Sequence, residues 1–141
     1  MVNIGKKKDF ILAIGLISLS LIIVSGFLIV GIIEPKVVIE SDKIIISGQY
    51  KRSIVNSDIK EISLEDKMPK VLRKVNGFDF GDALRGSFDL EGIGISSIYV
   101  HENQPPFIII KTEDRTYIIN YKDPEKTKDL YEEIKDKGQY N

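Results

Sequence analysis

The chain of 141 residues begins with one long apolar run and then changes to short β-branched segments separated by turn residues. Residues 10–33 contain no charged residue, Asn, Gln, His or Pro. A helix of this length spans about 36 Å at ~1.5 Å per residue, enough to cross a hydrocarbon core of ~30 Å. The alternative is a cleaved signal peptide, whose apolar core is normally about 7–15 residues and ends in small residues. Because Glu34-Pro35-Lys36 follows this longer run, we predict a retained signal anchor, a transmembrane helix over 10–33.

The charges on either side of this span predict its orientation. Lys6–Lys8 precede the span, whereas Lys36 and Lys43 follow it and are mixed with acidic residues. Basic residues concentrate on the cytoplasmic side of membrane spans. We therefore predict a basic cytoplasmic N-terminus over 1–9 and an extracytoplasmic domain, on a single-pass protein of the cell membrane.

Small residues inside the span raise the question of helix association. Gly15, Ser18 and Gly26 lie near one stripe of the helix, but they do not form a Gly-x-x-x-Gly motif. Ordinary membrane-helix residues are the favoured interpretation. Self-association through the span is the weaker alternative.

After Lys36, the pattern predicts about seven strands, including 37–39, 44–46 and 50–55. Phe107–Lys111 and Thr116–Asn120 are continuous apolar strands, which we expect in the centre of a sheet rather than at an edge. A helix over 123–137 closes the pattern, with Asp123 as its cap and Pro124 at its first position. Its apolar stripe consists of Leu130, Tyr131 and Ile134 with Thr127, and Gly138 is the stop signal. The predicted fold is therefore mainly β over 36–137, a small barrel or sandwich covered by a C-terminal helix.

Charge and composition exclude several classes of function. The chain has 20 basic and 21 acidic residues, of which three basic residues and one acidic residue precede Glu34. The region from Glu34 onward therefore has 17 basic and 20 acidic residues and a formal net charge of −3. A domain of this charge is a poor candidate for nucleic acid, which requires a basic face. The chain has no cysteine, which excludes disulfides and thiolate metal sites.

The central block from Asn76 to Phe88 is dense in glycine and aromatic residues. Asn76-Gly77 is a strong tight-turn signal, so we expect this block to be an irregular excursion between strands. Basic residues around it give a local charge of +3 from Lys67 to Arg85, despite Asp79 and Asp82. Core aromatics with solvated charges are the favoured interpretation. The other is a binding rim for an anionic or peptide ligand, for which a protein partner is favoured over a lipid headgroup. The rim would consist of Lys70, Arg73, Lys74, Phe78, Phe80 and Arg85.

A family resemblance extends over most of the region from Lys43 to Tyr131. The residues that carry it are Gly48-x-Tyr50, Ile59-x-x-Ile62-x-Leu64, Pro69, Arg73-x-x-Asn76-Gly77-Phe78, Gly81, Gly86-x-Phe88, Tyr117–Asn120 and Asp123–Tyr131. This region resembles the bacterial pleckstrin-homology-like family of membrane-anchored proteins. The resemblance implies a helix-capped PH-like barrel and no assigned enzymatic activity. Phosphoinositide binding does not carry over, because the first hairpin region offers only Lys51-Arg52.

Candidate catalytic groups are sparse. His101 is the single histidine, so a Ser-His-Asp triad would depend on it, and we expect it to be a surface residue at a strand end. Asp79-x-Gly81-Asp82 has too few ligands for a calcium loop, and no cofactor or metal is predicted. We therefore predict a non-catalytic, membrane-tethered binding or scaffolding module. The alternatives are an accessory subunit of a larger membrane complex and, less favoured, a hydrolase.

Overall fold

A computed structural model describes residues 4–138, and the chain divides into two compact units, Met1–Ile33 and Glu34–Asn141. The first unit contains helix α1 (Ile4–Ile32). Its stretch Gly5–Ile32 is long and apolar enough to cross a membrane, and its most apolar part is not buried inside the protein. The helix begins ahead of the predicted start at Phe10. It ends before Glu34-Pro35, as predicted, because the residue before proline is disfavoured in the α region.

The second unit contains nine strands and one α-helix among the described residues, where about seven strands were predicted. Their bounds are β1 (Val37–Ile39), β2 (Lys43–Ile46), β3 (Arg52–Val55), β4 (Ile59–Glu65), β5 (Val71–Phe80), β6 (Ala83–Leu90), β7 (Gly94–His101), β8 (Phe107–Thr112), β9 (Thr116–Ile119) and α2 (Pro124–Lys137). A short 3-10 helix, Asn56–Asp58, joins β3 to β4.

The strands form two sheets. The smaller sheet has the order β1-β2-β3 and the larger one β4-β8-β9-β7-β6-β5. All neighbouring pairs are antiparallel except β7 and β9, which are parallel. The prediction that the strands at 107–111 and 116–120 are central is confirmed, because β8 and β9 each have a neighbour on both sides.

Two apolar clusters explain why the sequences of β8 and β9 are continuous apolar runs. Alternate side chains point to opposite faces of a strand, so a strand that is covered on both faces is apolar at every position. One face of the large sheet contributes to a core with the small sheet and α2, including Ile44, Ile54, Ile110, Leu130 and Ile134. The other face contributes Leu84, Phe88, Ile98, Phe107 and Ile118 to a second cluster, against which Met68 and Val71 pack.

Helix α2 has the predicted ends and buried stripe. The Asp123 side chain accepts a hydrogen bond of 3.0 Å from the backbone N–H of Glu125. Leu130, Ile134 and Thr127 are buried. The predicted mainly β fold with a C-terminal helix is confirmed.

The prediction of an irregular central block is wrong. Residues 71–90 form a paired hairpin of β5 and β6 with two local irregularities in β5, and Asn76-Gly77 lies within β5 rather than in a turn. Gly77 lies directly opposite Gly86, and a Cβ atom on either glycine would lie closer than 3.0 Å to backbone atoms of the partner strand. The glycines therefore permit close strand pairing. The turn falls instead at Gly81-Asp82, between the two strands, where Gly81 has a φ of +63°.

Candidate functional site

His101 lies at the end of β7 in a polar cluster, and only 4% of it is exposed. Its Nδ1 atom is 3.2 Å from Asp82 Oδ1, and its Nε2 atom is 3.1 Å from Arg85 Nη2. Because a guanidinium can only donate, Nε2 accepts and Nδ1 carries the hydrogen that Asp82 accepts. The expectation of a surface histidine is wrong, because the β5–β6 turn and β6 supply polar partners that allow the ring to be buried.

Arg85 is the buried cation of this cluster, also with 4% exposure. Its Nη1 atom donates to the carbonyl of Leu84 at 3.0 Å and to that of Val100, whereas Nε has no hydrogen-bond partner. Burial lowers the pKa of Arg85, and the negative charges of Glu34 and Asp82 oppose this effect. The guanidinium is thus held inside the domain by two carbonyls and the His101 ring, and the nearby negative charges of Glu34 and Asp82 favour its charged form.

Glu34 completes the cluster from the first residue of the second unit. Its Oε1 atom accepts a 2.5 Å hydrogen bond from the backbone N–H of Lys122 and lies 3.5 Å from His101 Nε2. The same carboxylate therefore contacts the segment before α2 and the end of β7. Glu34 links the start of the domain to its C-terminal part.

The geometry of this cluster is that of a structural network. Within residues 4–138, the ring nitrogens of His101 contact Asp82, Arg85 and Glu34, and no serine hydroxyl bonds to them. A Ser-His-Asp triad requires a serine at Nε2, where this structure places Arg85. The described residues also contain no group of three or more His, Cys, Asp or Glu that could hold a metal ion.

The two aromatic residues of the predicted rim lie together on β5. Phe78 pairs with Arg85 and Phe80 with Ala83, so both rings lie on the Arg85 face of the hairpin. Their centroids are 6.4 Å apart, and Phe80 is 51% exposed. Arg85 is on the same face as Phe78 but is buried, so it is not part of an exposed rim. Its interior hydrogen bonds remove the guanidinium from the surface.

The basic residues of the predicted rim do not share one face. Arg73 pairs with Asp89, and its Nε atom is 3.2 Å from Asp89 Oδ2, so its charge is already matched. Lys74 pairs with Phe88 and therefore lies on the opposite face of β5. Lys70 is exposed just before β5. The rim is thus divided into Lys74 on one face and the aromatic residues on the other.

Comparison with known families agrees with this mainly β architecture and its C-terminal helix. A family model described as a bacterial PH domain matches residues 35–135. The chain belongs to the bacterial PH domain family. No curated protein and no solved structure matches it significantly.

Two shallow grooves lie on the surface of this bacterial PH domain. One, of ≈ 390 Å³, is lined by the start of the domain and by α2, including Lys36, Tyr121 and Glu133. The other, of ≈ 300 Å³, includes Met68 and Phe107. Both are lined by side chains of mixed charge, so neither favours a ligand of one sign.

Sequence reasoning missed two residues of the polar cluster. Asp82 was considered only as part of an incomplete calcium loop and of the local charge, and Glu34 only as part of the segment that follows the apolar run. The Gly81-Asp82 dipeptide was a usable turn signal, and recognising it would have placed Asp82 beside β6. Periodicity gives no such signal for Glu34, because its partners come from distant parts of the sequence.

Proposed function

We propose that this bacterial PH domain is a membrane-tethered, non-catalytic binding module. The observation that carries the proposal is α1, whose large apolar side chains from Phe10 to Ile33 are mostly exposed. Exposed apolar surface on this scale is unfavourable in water and favourable in a bilayer. Glu34 follows this apolar segment directly, and its side chain accepts a hydrogen bond from the backbone N–H of Lys122 in the domain.

Lys6–Lys8, in the first turns of α1, support an orientation with the domain outside the cytoplasm. A fluorescent reporter that matures only in the cytoplasm, fused after Asn141, should remain dark, whereas a periplasm-active phosphatase at the same site should be active. Replacing Lys6–Lys8 by glutamine removes the basic excess and should lower the phosphatase signal. Replacing Lys126, Lys128 and Lys135 of α2 by glutamine is the matched control and should not. A bright fluorescent reporter on the unmodified chain would contradict the orientation.

A protein partner is the ligand that we propose, at the hairpin of β5 and β6 and the adjoining start of β7. Leu72 and Val75 of β5 are exposed, as are Ile93 in the β6–β7 turn and Ile95 of β7. Neighbouring exposed apolar residues are typical of protein interfaces. Lys70 and Lys74 flank Leu72 in the sequence and form no ion pair within residues 4–138, so they favour a partner with acidic groups at the edge of its apolar patch.

Site-specific photocrosslinking in the native membrane tests this surface. A photoreactive residue at Leu72 or Val75 should capture one discrete partner, whereas the same residue at Lys60, on β4 at the other edge of the large sheet, should not. Lys74→Glu should reduce the adduct formed from Val75 without changing the far-UV circular dichroism spectrum. Equal adducts from Val75 and Lys60, or no dependence on Lys74, would refute the proposed surface.

A further inference from the structure

Arg115 lies in the loop between β8 and β9 with its backbone firmly held. Its N–H donates to Thr112 Oγ1 at 3.1 Å, and its carbonyl accepts from Thr112 Oγ1 at 2.8 Å and from Thr112 N at 2.9 Å. These three hydrogen bonds fix the point from which the side chain extends. A binding group that is positioned before its ligand arrives loses less conformational entropy on binding.

The guanidinium of Arg115 lies against two serine hydroxyls on neighbouring strands. Its Nη1 atom is 3.1 Å from Ser97 Oγ and 3.5 Å from Ser87 Oγ, and the two serines are direct partners in the pairing of β6 with β7. Both hydroxyls accept from Arg115, and neither donates to an acceptor within residues 4–138. A serine hydroxyl both accepts and donates. Arg115, Ser87 and Ser97 together therefore have two hydroxyl hydrogens and further guanidinium hydrogens that no acceptor within residues 4–138 receives.

Negative charge that would satisfy these donors is absent from the described contacts. None of the ion pairs formed among residues 4–138 includes Arg115 or Arg52. Asp89 lies two residues from Ser87 on the same face of β6, but Arg73 holds it at 3.2 Å. The donors around Arg115 are thus in excess over the acceptors.

The pKa of the neighbouring Tyr99 also reflects the positive charge near Arg115. Burial raises the pKa of Tyr99 to about 12, and the positive charges of Arg52 and Arg115 act in the opposite direction. Both guanidinium groups are therefore close enough to influence one buried hydroxyl. Ser97 is fully buried, whereas Arg115 and Ser87 are half-buried, which leaves one side of the group open to solvent.

We propose that Arg115, Ser87 and Ser97 form a binding site for a phosphate group. A phosphate presents several oxygens in different directions, which suits a guanidinium and two hydroxyls that come from separate strands. The phosphate can be free or part of a lipid headgroup, since both present the same oxygens. This site shares no residue with the proposed protein-binding surface but borders it, because Ile95 lies two residues before Ser97 on the same face of β7.

Nuclear magnetic resonance titration of the full chain in phosphatidylcholine nanodiscs tests the site. Sodium phosphate, added against sodium chloride of equal ionic strength, should shift the amide signals of Ser87 and Ser97 and the Nε–H signal of Arg115. Arg115→Gln should weaken phosphate binding by about tenfold or more, because it removes the charge-assisted hydrogen bonds. Ser87→Ala should weaken it less. Lys74→Gln removes an equal charge from the opposite face of β5 and should leave binding unchanged.

A second set of nanodiscs distinguishes the two sources of phosphate. If phosphatidylglycerol reproduces the shifts at Ser87 and Ser97, and Arg115→Gln abolishes them, the phosphate belongs to lipid. If only free phosphate causes the shifts, the ligand is soluble. Either result supports the site. Absence of phosphate-specific shifts in the unmodified chain, or equal binding by Arg115→Gln with its fold intact, would overturn it.

Discussion

Replacing Gly86 by alanine should destabilise the domain strongly, because two separate constraints meet at this residue. Gly86 has a φ of +121°, which side chains rarely adopt, and a Cβ there would lie 2.7 Å from the Cα of Gly77. A residue held in such a backbone conformation costs about 1–3 kcal/mol. Inserting a methyl group into a packed position costs about 1–3 kcal/mol more. The expected loss is therefore about 2–6 kcal/mol, a large part of the ~5–15 kcal/mol that stabilises a typical domain.

Gly92→Ala is the matched control for this substitution. Gly92 also has a positive φ, +75°, but a Cβ there would have nothing within 4 Å. The alanine at position 92 therefore costs only the strain of the left-handed backbone conformation, roughly 1–2 kcal/mol. Urea unfolding of the full chain in detergent, followed by far-UV circular dichroism, measures both changes. A loss for Gly86→Ala no larger than that for Gly92→Ala would show that β5 and β6 do not approach as closely as the structure has them.

Three further predictions concern the core, a buried amide and a buried hydroxyl. Leu130→Ala should lower the free energy of unfolding by about 2–5 kcal/mol in urea, because Leu130 packs in the core beneath α2. Asn120→Ala should cost about 2–4 kcal/mol in the same assay, because the Asn120 side chain bonds the N–H and carbonyl of His101 and the carbonyl of Gln104. Burial raises the pKa of Tyr99 to about 12, above its value in the unfolded chain. The contribution of the neutral Tyr99 hydroxyl to the free energy of unfolding should therefore be complete below pH ~10. It should be lost as the pH rises towards ~12, by about 2–3 kcal/mol. Urea unfolding between these pH values measures this loss, and Tyr99→Phe should remove that part of the pH dependence.

The elements whose signals are local were predictable from the sequence. Asp123 and Pro124 define the start of α2 through chemistry confined to one turn. The central position of β8 followed from its apolar residues alone, because a strand covered on both faces has no polar side. Such signals require no knowledge of distant parts of the chain.

The hairpin of β5 and β6 was predicted incorrectly because its glycines act through a partner strand. Asn76-Gly77 has the composition of a tight turn, but Gly77 is required opposite Gly86, where the two backbones approach. The turn chemistry was satisfied later, at Gly81-Asp82. A sequence shows where a glycine is but not which residue lies opposite it, so these two explanations could not be separated.

The residues of the candidate rim are divided between two faces and the interior for a related reason. Irregularities in pairing fall between Val71 and Arg73 and between Lys74 and Asn76, and each one shifts the alternation of side chains along β5. Lys74 and Asn76, two residues apart, consequently pair with the neighbouring residues Phe88 and Ser87 and face opposite sides. Burial of Arg85 likewise depends on Asp82, His101 and Glu34, which only the folded chain brings together.

The distribution of arginines separates the two proposed surfaces and decides which residues can test them. Arg85 belongs to the interior, and Arg115 lies over Ser87 and Ser97 with no carboxylate partner among the described residues. Arg73 lies between the two surfaces, because it is on β5 but holds Asp89 on the face that Ser87 shares. Removing Arg73 would release a carboxylate beside the proposed phosphate site and change the charge of the protein-binding surface at the same time. Lys74 and Arg115 have no such shared carboxylate, so substitutions at these two positions can separate protein recognition from phosphate binding.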